Sequence, residues 1–137
     1  ANLLNKYGRF EETMEWLGKA RDVQVDNPEG YYLIAVHYWD KVYRDPSLGP
    51  NAIKDYIELG LDQLDQALEL EGEYVDALIY KNLLIREQAK VEPHRQEELT
   101  ALANELRDRA VVLQEQAEAA EKEAAAAQKG AQAESGH

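Results

Sequence analysis

The sequence has no cysteine, so disulfides and thiolate chemistry are excluded. That absence fits a reducing cytoplasm and is equally compatible with a bacterial envelope compartment. Positive charge is scarce: 15 Lys and Arg stand against 27 Asp and Glu, giving a net charge of −12 and a pI near 4.6. Such a surface repels phosphate backbones and anionic lipid, which argues against nucleic-acid and membrane-surface roles. No apolar run approaches the ~20 residues of a membrane span, and no signal peptide is visible. The chain opens Ala1-Asn2-Leu3-Leu4 without methionine, in what reads as the middle of a helical hairpin, so a truncated or processed start is expected. Catalytic signatures are missing too. There is no HExxH, no P-loop and no nucleophile at a strained elbow.

What the sequence has is helical periodicity. At 137 residues it forms one domain able to bury a core. Leu61, Leu64 and Leu68 recur at i, i+3, i+7, with Ala67 beside them. Glu71-Gly72-Glu73 then interrupts, with Gly72 expected to end the helix in left-handed backbone. Val75, Leu78, Ile79 and Asn82 open a second stripe, and two amphipathic helices joined this tightly pack antiparallel. Upstream, Asp26-Asn27-Pro28-Glu29 is a helix start signal. The helix it opens runs to about Arg44 and carries two stripes: Ile34, Ala35 and Tyr38, and Tyr32, Val36, Trp39 and Tyr43. A helix apolar on two faces is sandwiched or shows one face to a ligand. A loop at 45–51 precedes a helix from Asn51 to Leu70, in which Gly60 marks a close helix approach. After the helix Tyr74 to Lys90 and the break Glu92-Pro93-His94, the chain reads helical from Arg95 to about Gln128. Its apolar stripe is Leu99, Leu102, Leu106 and Leu113, continued by Ala110, Ala117, Ala120 and Ala124. At ~50 Å this helix is about twice as long as its mate, so its distal part is expected to project. Residues 129–137 are small and polar, and expected disordered.

These residues resemble the tetratricopeptide repeat (TPR) family, in its bacterial form. The junction A-L-x-L-x-P-x-x-x-x-A-L/W is matched by Ala67-Leu68-Glu69-Leu70, the turn, then Tyr74-Val75-Asp76-Ala77-Leu78. Tyr7-Gly8-Arg9-Phe10-Glu11-Glu12 matches the family's turn between the two helices of one repeat, with Phe10 packing back between them. Thr13 replaces the usual alanine, and the repeat from Pro28 to Gly72 exceeds the family's usual length of about 34 residues. The resemblance is good over 1–89 and weak beyond Pro93. It implies an all-α solenoid of stacked antiparallel hairpins in a right-handed superhelix, with a long C-terminal helix. The hairpins would be 1–27 (incomplete), 28–72 and 73–92 onward, with 93–128 as an extended, capping second helix.

The function implied by the resemblance is a non-catalytic scaffold that holds a peptide or partner helix in a concave groove. Carrying the family's groove positions over gives Tyr32, Ala35, Val36, Trp39 and Tyr43, then Asp76, Ile79, Tyr80, Leu83 and Arg86. The competing reading makes these aromatics core between hairpins. A carboxylate clamp is not supported, because only Lys81, Asn82 and Arg86 cluster. The alternative function is a structural subunit that self-associates through its end helix, around Leu113, Ala117 and Ala120, as a homo-oligomer. An enzyme is the third reading. His37, Asp40 and Lys41 share a helix, and Asp62, Asp65 and Glu69 share a face, but packing and solvation account for both sets. No cofactor and no metal site is expected.

Overall fold

The computed structural model describes the backbone of residues 2–135 and the side chains of residues 8–132. Helix makes up 89% of the chain and no strand occurs among the described residues, so the fold class is all-α. The helices are α1 (Asn2–Val23), α2 (Pro28–Arg44), α3 (Pro50–Leu70), α4 (Val75–Val91) and α5 (Gln96–Ser135). A 3-10 turn, Pro93–Arg95, leads into α5.

Helix ends follow local chemistry. Asn27 caps α2 by accepting the Glu29 backbone N–H at 3.0 Å, and Pro28 supplies a first residue that needs no hydrogen-bond partner. Pro50 starts α3 in the same way. The C-terminal caps of α2 and α3 are extended residues, Asp45 and Glu71, and Glu92 caps α4. Gly72 does not adopt left-handed backbone, because no described residue has positive φ. Glu71 makes that turn instead, at φ −140°, with its N–H donating to the Ala67 carbonyl at 2.9 Å.

Two expectations fail at the ends of the chain. No turn forms at 7–10, and α1 passes unbroken through Gly8. An unbroken helix satisfies the backbone N–H and C=O groups of this segment internally, whereas a turn needs a further helix packed back against it to hold it. Leu17 is then the buried anchor of α1, Met14 is half-buried and Ala20 is exposed. At the other end, α5 continues through Gly130 to Ser135 rather than yielding to a disordered tail. Alanine, glutamine and glutamate propagate helix well, and one glycine costs only ~1 kcal/mol. Gly136 and His137, the end of the expected tail, lie outside the described residues.

Packing is strictly between near neighbours. α2 contacts α1, α3 and α4; α4 contacts α3 and α5. The main core joins Tyr31, Ala35 and Val42 of α2 to Ile57, Leu64 and Ala67 of α3 and Ala77 and Leu84 of α4. A second core joins Ile85 and Ala89 of α4 to Leu99 and Ala103 of α5, and Leu61 touches both. Of the expected α3 stripe Leu64 and Ala67 are fully buried, and Ile57 one step earlier on the same face is buried with them. Gly60 meets its expectation: a Cβ there would lie 2.8 Å from Leu84 Cδ1 and 3.4 Å from Tyr38 Cβ. Phe10 also packs back, edge-on to Tyr38 and Tyr56 with centroids 6.1 and 5.5 Å away.

The α5 stripe is displaced from the one expected. Leu102 is 40% exposed, and the buried positions are Leu99, Ala103 and Ala110, with Leu106 and Leu113 half-buried. Alternating steps of four and three keep one face toward α4, and Leu102 stands to the side of that seam. All residues 114–132 are exposed. The segment 114–135 therefore extends past the body by about 33 Å at 1.5 Å per residue.

Candidate functional site

The second stripe of α2 meets α4 in a continuous run of rings. Tyr74, at the start of α4, lies 5.4 Å from Tyr32 between centroids. Tyr32 meets Tyr80 edge-on at 5.5 Å, and Tyr80 meets Trp39 edge-on at 5.6 Å. Trp39 stacks on Tyr43 at 5.0 Å, with the planes only 14° apart. Ring pairs of this geometry contribute about 0.5–1.5 kcal/mol each beyond buried area, so the ladder also binds α2 to α4. It grades from half-buried at Tyr32, Trp39 and Tyr80 to 60% exposed at Tyr43.

Four predicted residues, Tyr32, Trp39, Tyr43 and Tyr80, thus come together. Val36 and Leu83 are half-buried at adjoining register positions, and Ile79 is half-buried as well. Ala35 is fully buried in the core. Arg86 is occupied elsewhere. Its Nε donates to Asn82 Oδ1 and its Nη2 to Asn104 Oδ1, both at 2.8 Å, tying α4 to α5. Six residues beyond Tyr80 is 600° of helix, which puts Arg86 about 120° away from the ladder. Tyr74 escaped the sequence reading because it precedes the helix as its N-cap, outside the periodic stripe. Tyr38 belongs to the opposite side, stacked on Tyr56 at 5.7 Å. Of the end-helix residues, Leu113 borders a cleft with Glu73, Val112 and Gln116, while Ala117 and Ala120 are exposed on the overhang.

The ladder is chemically unspent. Among the described residues no buried side-chain polar atom lacks a partner. The hydroxyls of Tyr32, Tyr43, Tyr74 and Tyr80 and the Trp39 indole N–H make no hydrogen bond among the described residues, so they reach solvent. Burial and then the Asp76 carboxylate push the Tyr32 hydroxyl up to about 12, with Glu29 acting in the same sense. Burial, Glu29 and Asp76 likewise raise Tyr74.

The trio His37, Asp40 and Lys41 does not converge. Asp40 pairs with Arg44 at 2.6 Å, and Lys41 pairs with Asp45 at 2.7 Å. Of the shared carboxylate face, Asp65 pairs with Lys81 and Asp62 accepts from Gln66. A link that periodicity cannot reveal joins α1 to α3, where Arg21 Nη1 donates to buried Gln63 Oε1 at 3.0 Å. No family model, curated protein or solved structure matches the chain.

Proposed function

We propose that this chain is a non-catalytic protein-interaction scaffold of TPR type, whose α2–α4 face holds a peptide or a helix of a partner protein. The observation that carries the proposal is the aromatic ladder, with its polar groups unused and its outer end open. Aromatic residues dominate interface hot spots, and tyrosine and tryptophan offer contact area at little conformational cost. The order of helix contacts supports a solenoid of stacked hairpins. α2 and α4, the first helices of successive hairpins, touch each other, and each hairpin touches only its neighbours. In that arrangement the first helices line the groove.

The test is partner capture from the source lysate, followed by affinity measurement on the purified pair. Tyr43→Ala removes an exposed ring and leaves the core untouched. Together with Trp39→Ala it is expected to weaken binding by about 2 kcal/mol or more while circular dichroism stays helical. Unchanged affinity in both variants would overturn the reading. The overhang at 114–135 favours a second reading, self-association through α5. A chain ending at Leu113 that keeps the oligomeric state of the parent in light scattering would exclude it.

A further inference from the structure

Three features could carry more. The overhang of α5 is a stripe of small residues with nothing beside it to say what covers it. The cleft between α1 and α2, bordered by Trp16 and Leu33, is equally silent about its occupant. The ladder does speak about its ligand, through charge.

We propose that the segment taken by the α2–α4 face is cationic: an extended peptide whose lysine or arginine side chains lie on the ladder's rings and against the carboxylates of Glu29 and Asp76. This rests on the groove reading above and specifies its ligand. Glu29 and Asp76 sit in the first turns of α2 and α4, on the same helix faces as Tyr32 and Tyr80. Neither has an ion-pair partner among the described residues. The neighbouring acids differ, since Asp40, Asp45 and Asp65 are matched by Arg44, Lys41 and Lys81. Both free carboxylates act on Tyr32 and Tyr74, which places them at that end of the ladder. The two helix N-termini contribute only about half a positive charge each, so the end remains net negative.

The rings point the same way. A cation over a ring face is attracted by its quadrupole. Elsewhere in this chain that contact is made, with Arg21 5.8 Å from the Tyr31 centroid and Lys41 5.2 Å from that of Phe10. Both lie off the ladder, and among the described residues no cation covers a ladder ring. The nearest candidates are turned away: Lys41 toward Asp45, Lys81 toward Asp65, Arg86 toward α5. A net charge of −12 steers cationic segments inward and disfavours acidic ones.

The test uses four synthetic peptides of one length, bearing Arg, Lys, Gln or Glu at the same positions in a neutral background. Binding is read from Trp39 fluorescence in a Trp16→Phe chain; Trp16 is 68% exposed on α1, away from the ladder. The Arg and Lys peptides are expected to bind about tenfold or more tighter than the Gln peptide, and the Glu peptide most weakly. Raising salt from about 0.05 to 0.5 M should weaken the cationic peptides selectively. Glu29→Gln with Asp76→Asn should cost the Arg peptide several-fold, and Tyr43→Ala a comparable factor, while circular dichroism stays helical. Equal binding of the Gln and Arg peptides overturns the cationic ligand and leaves the groove standing. Arg binding indifferent to all three substitutions marks general attraction to an acidic chain, and also overturns it. If no peptide binds and Tyr43→Ala leaves captured-partner affinity intact, the groove reading itself has failed.

Discussion

Gly60 and Asp45 show how much single positions decide. A methyl group at Gly60 would fall 2.8 Å from a methyl of Leu84, whose side chain is fully buried in the core and can give way only by displacing its neighbours. Helix propensity favours alanine over glycine by ~1 kcal/mol, while overpacking costs about 1–3 kcal/mol. The second effect wins, so Gly60→Ala is expected to destabilise by about 1 kcal/mol and Gly60→Val by more, measured by urea unfolding. The Asp45 carboxylate is held down from 3.8 to about 2, by the Lys41 side chain first and then by Ser47. A depressed folded-state value gives a contribution complete above about pH 4 and lost as pH falls through about 2. Asp45→Asn should therefore lower the thermal midpoint at pH 7, and the gap to the parent should close between pH 4 and pH 2. The Gly60 contact was legible in the sequence as a small residue inside a long stripe. The Arg21–Gln63 link and the turning of Arg86 toward Asn104 were not, because polar cross-helix pairs leave no periodic trace.

Among elements, punctuation proved the most legible: the start signal at Asn27-Pro28, the loop ahead of α3 and the break at Glu92-Pro93-His94 act within one helical turn and need no tertiary partner. The turn at Tyr7-Gly8-Arg9-Phe10 depends on a helix packing back against it, so the motif alone could not hold it. In α5 the displacement from Leu102 to Ala103 reflects a seam on which Ala103 and Ala110 are buried as deeply as Leu99, whereas a reading of bulk hydrophobicity follows leucine. A helix without neighbours adds little stability beyond its own propensity. Ending the chain at Leu113 is therefore expected to lower the helical circular dichroism signal while leaving the thermal midpoint of the body unchanged. A drop of several degrees would mean that the overhang is docked in solution. Arg86→Ala should do the opposite. It leaves buried Asn82 without its hydrogen bond and loosens α5 from α4, at about 1–3 kcal/mol in denaturant unfolding.

At the scale of the whole molecule the all-α class was legible because every strong stripe in the sequence has one period. The aromatic face was legible as a second stripe on α2, and Tyr80 through the family's groove positions, but its completion by Tyr74 was a matter of which helices become neighbours. Those neighbours are close in the chain as well. No pair of helices more than two apart in order is in backbone contact among the described residues. Folding rate falls as contacting residues lie further apart in sequence, so this topology belongs with the microsecond-to-millisecond folders. It also suits synthesis from the N-terminus at about 5–20 residues per second. Helices α2, α3 and α4 can bury Ile57 and Leu64 while most of α5 is still untranslated, and each later helix finds its partner already waiting at the growing end.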